Sequence, residues 1–292
     1  VISGIALVDK PLGVSSHHVV AQARKALNTK KVGHAGTLDP AASGLLVLGI
    51  GSGTRLLTYL VGADKTYRAT MRLGFGTTTD DAEGEALERL GDLSTCTDEV
   101  IRVAAGAFSG KIDQVPSTYS AIKVQGRRAY DLARSGEEVV LKSRTVTVHR
   151  LEVGDIHRGE DHIDVEILVE CSSGTYIRAL ARDIGHTLGV GGHLVALRRD
   201  RVGPFSVEGA PRATELTEGA LLSLAEVAAH ILPVVTVQEI DRVALSHGRQ
   251  IDASSWPADS PLAAIAEGSG ELIAIVQAHA GRSRILMGVA SV

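Results

Sequence analysis

The chain has 292 residues, 44% of them hydrophobic and 22% charged, with a formal net charge of −4 at pH 7. At about 150 residues per domain this suggests two domains, and the composition excludes a disordered chain, a coiled coil and a collagen-like repeat. Taken alone, the acidic total also argues against a generally basic nucleic-acid binder.

GIALVDK, residues 4 to 10, reads as a strand, interrupted by Asp9 and Lys10 too early for a signal-peptide core. Ser15 and Ser16 suit the N-cap of a helix running to about Leu27, with Val19, Val20, Ala23, Ala26 and Leu27 on one face. LLVLGIG, from residue 45, is a short buried strand, and the alternation of Tyr67, Ala69, Met71 and Leu73 marks another. Residues 80 to 99 carry eight acidic side chains against Arg89 alone, a local charge of −7, the pattern of a solvated loop or helix face. Residues 100 to 108 read as helix, 145 to 153 and 162 to 171 as strands, and 175 to 188 as a helix with Ile177, Leu180, Ala181 and Ile184 inward. Near Pro233 the pattern changes to short apolar runs broken by glycine, with a hairpin expected at the GSG of 268 to 270. Residues 1–232 and 233–292 are therefore expected to be separate domains, the second small and β-rich. Irregular alternation of strands and helices gives an α+β class.

The only cysteines, Cys96 and Cys171, are far apart, so there is no zinc ribbon, no thioredoxin-type site and no disulfide framework. The low-charge stretch 40 to 54 is shorter than the roughly 20 residues that span a bilayer. A cytoplasmic protein without metal or membrane attachment is expected. P-loop, dinucleotide-binding, HExxH and GxSxG patterns are all absent.

The densest unusual stretch is KKVGHAGTLDPAASGLL, from residue 30. Gly33, Gly36 and Gly44 imply a tight backbone path that something approaches closely. Pro40 biases Asp39 toward an extended or turn conformation. An Asp-Pro step is commonly a plain turn, but beside an apolar strand the carboxylate could lie at a partly buried strand edge, where it needs a partner. Arg178, in the first turn of the helix after CSSGTY, is either a surface residue or such a partner. Tyr67 and Tyr176 stand out in a chain only 3% aromatic; each is either core or a surface on which a base stacks. His34, in the glycine-rich loop, is either solvated or a wedge that replaces an extruded base. Two segments are locally basic. Residues 115 to 150, including Lys123, Arg127 and Arg128, set seven cations against three acids, and residues 178 to 203 set five against two. The acidic total thus hides localised positive charge suited to phosphate.

These segments together resemble the bacterial tRNA pseudouridine-55 synthases of the TruB family. The resemblance runs through DKPLGVSS (9 to 16), KVGHAGTLDPAASGLLVLGIGSGT (31 to 54), DKTYRATMRLG (64 to 74), VPSTYSAIKVQGRRAYDLAR (115 to 134), SSGTYIRALARDIG (172 to 185) and HLVALRR (193 to 199). It implies the pseudouridine synthase fold, with a central mixed, mainly antiparallel sheet, and a C-terminal PUA-like domain whose last strand lacks the usual proline. The substrate implied is the T stem-loop of tRNA, bound by a monomer, with no cofactor or metal. Asp39 matches the catalytic aspartate, Arg178 the arginine that pairs with it, and Tyr67 the tyrosine that stacks on the target base. His34 matches the residue that fills the space of the flipped base. Tyr176 and Leu197 match residues of the uracil pocket, and Lys10 belongs to a lysine–proline motif beside it. Lys123, Arg127 and Arg128 fall where the family has an RNA-clamping segment. The reaction adds and removes nothing, but the nucleotide must leave its stack. A carboxylate can then attack C1′ or abstract a sugar proton, and the sequence does not choose. Other readings are an idle tRNA-folding chaperone or scaffold using the same cleft, and a glycoside hydrolase, which lacks a second carboxylate here.

Overall fold

The computed structural model describes residues 2–119 and 141–289, with only the backbone of 123–124 and 127–128 between them. Strand β1 (Gly4–Lys10) leads into helix α1 (Ser16–Ala26), capped by the Ser15 hydroxyl, which accepts the His18 N–H at 3.1 Å. Val19, Val20 and Ala23 are buried as expected, whereas Ala26, the last residue of the helix, is exposed. Strands β2 (Val32–Ala35) and β3 (Ala42–Ile50) follow, then α2 (Gly53–Val61) and β4 (Lys65–Leu73). In β4 Tyr67, Ala69, Met71 and Leu73 are buried and Arg68 is exposed, the period of two expected.

Helix α3 (Asp98–Gly106), β5 (Gly110–Gln114), the short paired strands β6 (Lys123–Val124) and β7 (Arg127–Arg128), β8 (Arg144–Arg158) and β9 (Ile163–Cys171) come next. Then come α4 (Ile177–Thr187), β10 (Gly192–Val202), β11 (Phe205–Ser206), α5 (Leu224–Ile231), β12 (Val234–Val237) and α6 (Glu239–Ser246). Strands β13 (Leu262–Ala266), β14 (Leu272–His279) and β15 (Arg282–Gly288) finish the chain.

Two units can be separated: Val1–Asp39 with Leu45–Val61 and Gly203–Val292, and Pro40–Gly44 with Gly62–Val202. In the second unit the strand order is β10-β4-β9-β8-β5, all neighbours antiparallel, and the first residues of β3 run parallel to β10. The result is α+β with a mixed, mainly antiparallel sheet. In the first unit β1 and β2 flank the rest of β3, and Val8, Val19, Val20, Leu46, Leu48 and Ile50 form its core. Fully burying such aliphatic side chains stabilises by about 1.5–3 kcal/mol each.

The C-terminal strands make a separate sheet, β12-β13-β14-β15, around Val237, Leu262, Ala264, Ile273 and Val276. Gly268 and Gly270, with φ of 87° and 68°, turn the β13–β14 hairpin that GSG signals. Helices α5 and α6 were not legible as helices in the sequence, because each is only eight residues long. Cys96 and Cys171 are buried free thiols. Among the described residues no helix is long and apolar enough to cross a membrane, and no cluster of His, Cys, Asp or Glu is arranged to hold a metal ion.

Candidate active site

Asp39 lies in the loop that joins β2 to β3. The residue before it, Leu38, is 4% exposed and is clamped by Ser16, whose hydroxyl donates to the Leu38 carbonyl at 2.8 Å and accepts its N–H at 2.9 Å. Asp39 itself is exposed, which corrects the expectation of a partly buried strand edge: the chain is anchored at Leu38 and β3 begins only at Ala42. His34 also differs from expectation. It is not in a loop but in β2, opposite Leu48, half-buried, with its ring edge-on to His17 at 5.6 Å. Lys10 is fully buried, and its ammonium donates to the carbonyls of Pro11 and Val14 at 3.0 and 2.7 Å. Closed to solvent, it shapes the turn after β1.

In the second unit, Ala42, three residues after Asp39, pairs in register with Leu197 of β10, and Leu197 pairs on its other side with Ala69 of β4. Tyr67, two residues from Ala69, is 8% exposed and lies opposite Arg199 in β10 and Val169 in β9. The close β3–β10 approach explains Gly44. Its φ is +102°, and a Cβ there would lie 2.2 Å from the Arg199 carbonyl oxygen.

Arg178 is the second residue of α4 and is 7% exposed. Its guanidinium meets the Asp81 carboxylate at 3.1 Å and donates to the carbonyls of Thr79 and Tyr119 at 3.0 and 2.8 Å. One turn further, Arg182 pairs with Asp80 at 2.9 Å and donates to the Val115 carbonyl at 2.7 Å. Burial pushes the Asp80 carboxyl above the usual carboxylate range, against the pull of the Arg182 and Arg178 guanidinium groups. Asp80 and Asp81 therefore depart from the solvated reading of residues 80 to 99, which fits Glu88 and Asp92. The sequence held a signal for them: Arg178 and Arg182 are four residues apart on an otherwise apolar helix face, and buried guanidinium groups require carboxylates.

Tyr176 immediately precedes α4. Its N–H donates to the Gln114 side-chain carbonyl at 2.8 Å, and its own carbonyl accepts from the Gln114 amide at 3.1 Å. The Arg144 guanidinium lies 5.2 Å from its ring centroid, within cation–π range. Gln114, 1% exposed, gave no signal in the sequence. The turn before Tyr176 is tied to β8, where Ser172 N–H donates to the Thr147 carbonyl and Thr147 N–H to the Ser172 hydroxyl, at 2.8 and 2.9 Å. Lys123 and Arg128 are register partners, as are Val124 and Arg127, but the side chains of Lys123, Arg127 and Arg128 lie outside the described residues.

Residues 24–177 match the model of the TruB family pseudouridylate synthase N-terminal domain, and residues 178–239 that of the tRNA pseudouridylate synthase B C-terminal domain. A tRNA pseudouridine synthase B of Paenarthrobacter aurescens is 50% identical, over 94% of this chain and 91% of that protein. One from Leifsonia xyli is 49% identical, over 98% and 96%. Among solved structures, a Cbf5-Nop10-Gar1 complex superposes with a TM-score of 0.71 at 28% identity, covering 99% of this chain and 84% of that one. An H/ACA RNP bound to a substrate RNA containing 2'-deoxyuridine gives 0.70 at 27% identity, covering 99% and 84%. On this coverage and identity, the chain belongs to the TruB family of pseudouridylate synthases.

Proposed function

We propose that this protein isomerises uridine 55 in the T loop of tRNA to pseudouridine, acting as a cytoplasmic monomer without cofactor or metal. The observation that carries the reading is the register around Leu197, which sits between Ala42, three residues past Asp39, and the strand that bears Tyr67. One apolar residue is thus paired on one side with the chain leaving the carboxylate loop and on the other with Ala69, two residues from the buried tyrosine.

The target nucleotide leaves its stack at a cost of a few kcal/mol, offset by stacking on Tyr67 and by His34 filling the vacated space. Asp39 is the catalytic carboxylate. It either attacks C1′, displacing N1, and is itself displaced when C5 bonds to C1′, or removes the C2′ proton as the C1′–N1 bond breaks and returns it as C5 bonds to C1′; in both routes the uracil turns between the two events. The C5 proton is lost and N1 gains one, so atoms balance without a co-reactant. Arg178 orients the carboxylate, and its tight seat against Asp81 fixes the guanidinium in advance. Tyr176 and Leu197 line the uracil pocket, and their apolar surface limits water while the base turns. Lys10 supports the site by holding the turn of Pro11 to Val14. Lys123, Arg127 and Arg128 supply phosphate contacts, residues 1–232 are the catalytic domain, and residues 233–292 act as a PUA-like RNA-binding domain.

The test is incubation with a T-arm RNA followed by digestion to nucleosides. Pseudouridine without free uracil is the expected result. Free uracil would identify a hydrolase, and unchanged uridine with accelerated tRNA refolding would identify a chaperone.

A further inference from the structure

We propose that Gln114 and Arg144 are positioning residues for this reaction, fixing Tyr176 at the start of the helix that carries Arg178. The inference rests on the reading of Tyr176 as a wall of the uracil pocket. Gln114 ends β5 and Arg144 begins β8, and the two are register partners in the antiparallel pair. They grip Tyr176 in different ways.

Gln114 holds the backbone. One primary amide accepts the Tyr176 N–H and donates to the Tyr176 carbonyl, so the two bonds fix the peptide groups on either side of one Cα. Asn and Gln carry both a donor and an acceptor on one neutral amide at any physiological pH, and Gln has the longer reach. The need is local. Tyr176 provides no side-chain cap for α4, so the start of this helix lacks the usual hydroxyl or carboxylate anchor. The Tyr176 carbonyl also accepts the Leu180 N–H at 3.1 Å, so Gln114 acts on the first helical turn itself. Arg178, two residues on, inherits that placement.

Arg144 holds the ring. Its guanidinium is within cation–π distance of the Tyr176 aromatic face, and a Cβ built at Gly174 would lie 3.6 Å from the same group. Arg144 is therefore folded over the Gly174–Tyr176 turn. One residue fixes where the Tyr176 backbone sits and the other fixes how its ring is turned, the two variables that decide how a pocket wall meets a rotating base.

The experiment compares Gln114→Leu, Gln114→Glu and Arg144→Met with wild type. Single-turnover pseudouridine formation at saturating enzyme and tRNA affinity are measured, together with ¹⁹F NMR of protein labelled with 3-fluorotyrosine. The Tyr176 resonance is assigned by its absence in Tyr176→Phe. Gln114→Leu is expected to slow the single turnover about tenfold or more, the scale of a small misplacement, while tRNA affinity is kept. Its Tyr176 resonance should move. Gln114→Glu keeps the acceptor and regains the donor only when its carboxyl is protonated, so its deficit should shrink as pH falls. Arg144→Met should move the same resonance and lower the saturated rate by a smaller factor. It changes only a half-buried side chain, so it decides the matter if Gln114→Leu fails to fold. An unmoved Tyr176 resonance, or a rate that falls only in proportion to affinity, overturns the proposal. The NMR readout needs no turnover, so an inactive wild type would contradict the proposed function while positioning is still judged on the resonance.

Discussion

Ser16 satisfies both backbone groups of Leu38, donating to its carbonyl at 2.8 Å and accepting its N–H at 2.9 Å, all of it buried. The peptide that enters Asp39 is thereby fixed to the first turn of α1, although Asp39 itself is exposed. Ser16→Ala leaves two buried backbone groups without this partner, at a cost of about 1–3 kcal/mol for an unsatisfied group. Denaturant unfolding should show that loss. Single-turnover pseudouridine formation should fall further than tRNA affinity, because the loop holding the carboxylate is loosened while the RNA surface is kept.

The Arg178–Asp81 pair is buried, with side chains 8% and 12% exposed. Removing one member of such a pair strands the other, at about 3–5 kcal/mol. Asp81→Leu should therefore be strongly destabilised, and the double variant Asp81→Leu/Arg178→Met should recover much of the stability without recovering activity. Thermal melts and turnover of the three proteins check this. Recovery of turnover in the double variant would remove Arg178 from the chemistry.

Gly44 has a second requirement besides its φ of +102°: the Arg199 backbone occupies the space of a Cβ. Gly44→Ala should cost at least the ~1–3 kcal/mol of a strained backbone. It should also disturb the β3–β10 register, seen as faster hydrogen exchange of amides in residues 197 to 199.

Lys65 is 6% exposed, donates to the Ala63 carbonyl, and has its pKa lowered from 10.5 to about 8, first by burial and then by Arg199. Its folded pKa lies below its unfolded value. Between these values the unfolded chain binds more protons, so this group makes stability rise with pH from about 8 toward 10.5. Lys65→Met should flatten that rise when unfolding free energy is measured across the window. A wild-type slope retained in the variant would refute the assignment.

Strong local patterns were readable in the sequence. Alternation in β4 and the Ser15 cap of α1 survive because neighbouring residues alone determine them. The glycine-rich stretch could be recognised as special, but β2 within it could not, because strand pairing with β3 decides it. Asp80 and Asp81 read as solvated because the trace of their burial lies not in the charge run but in the spacing of Arg178 and Arg182, about a hundred residues away. Gln114 was invisible for the same reason: its importance lies in a contact with Tyr176 that only the folded sheet creates.

The most direct test of the central claim is single-turnover conversion of a T-arm uridine by wild type and Asp39→Asn at saturating enzyme. Conversion by wild type, with no detectable pseudouridine from an Asp39→Asn protein that still binds tRNA, is the predicted result. Wild-type conversion rates in Asp39→Asn would contradict the account.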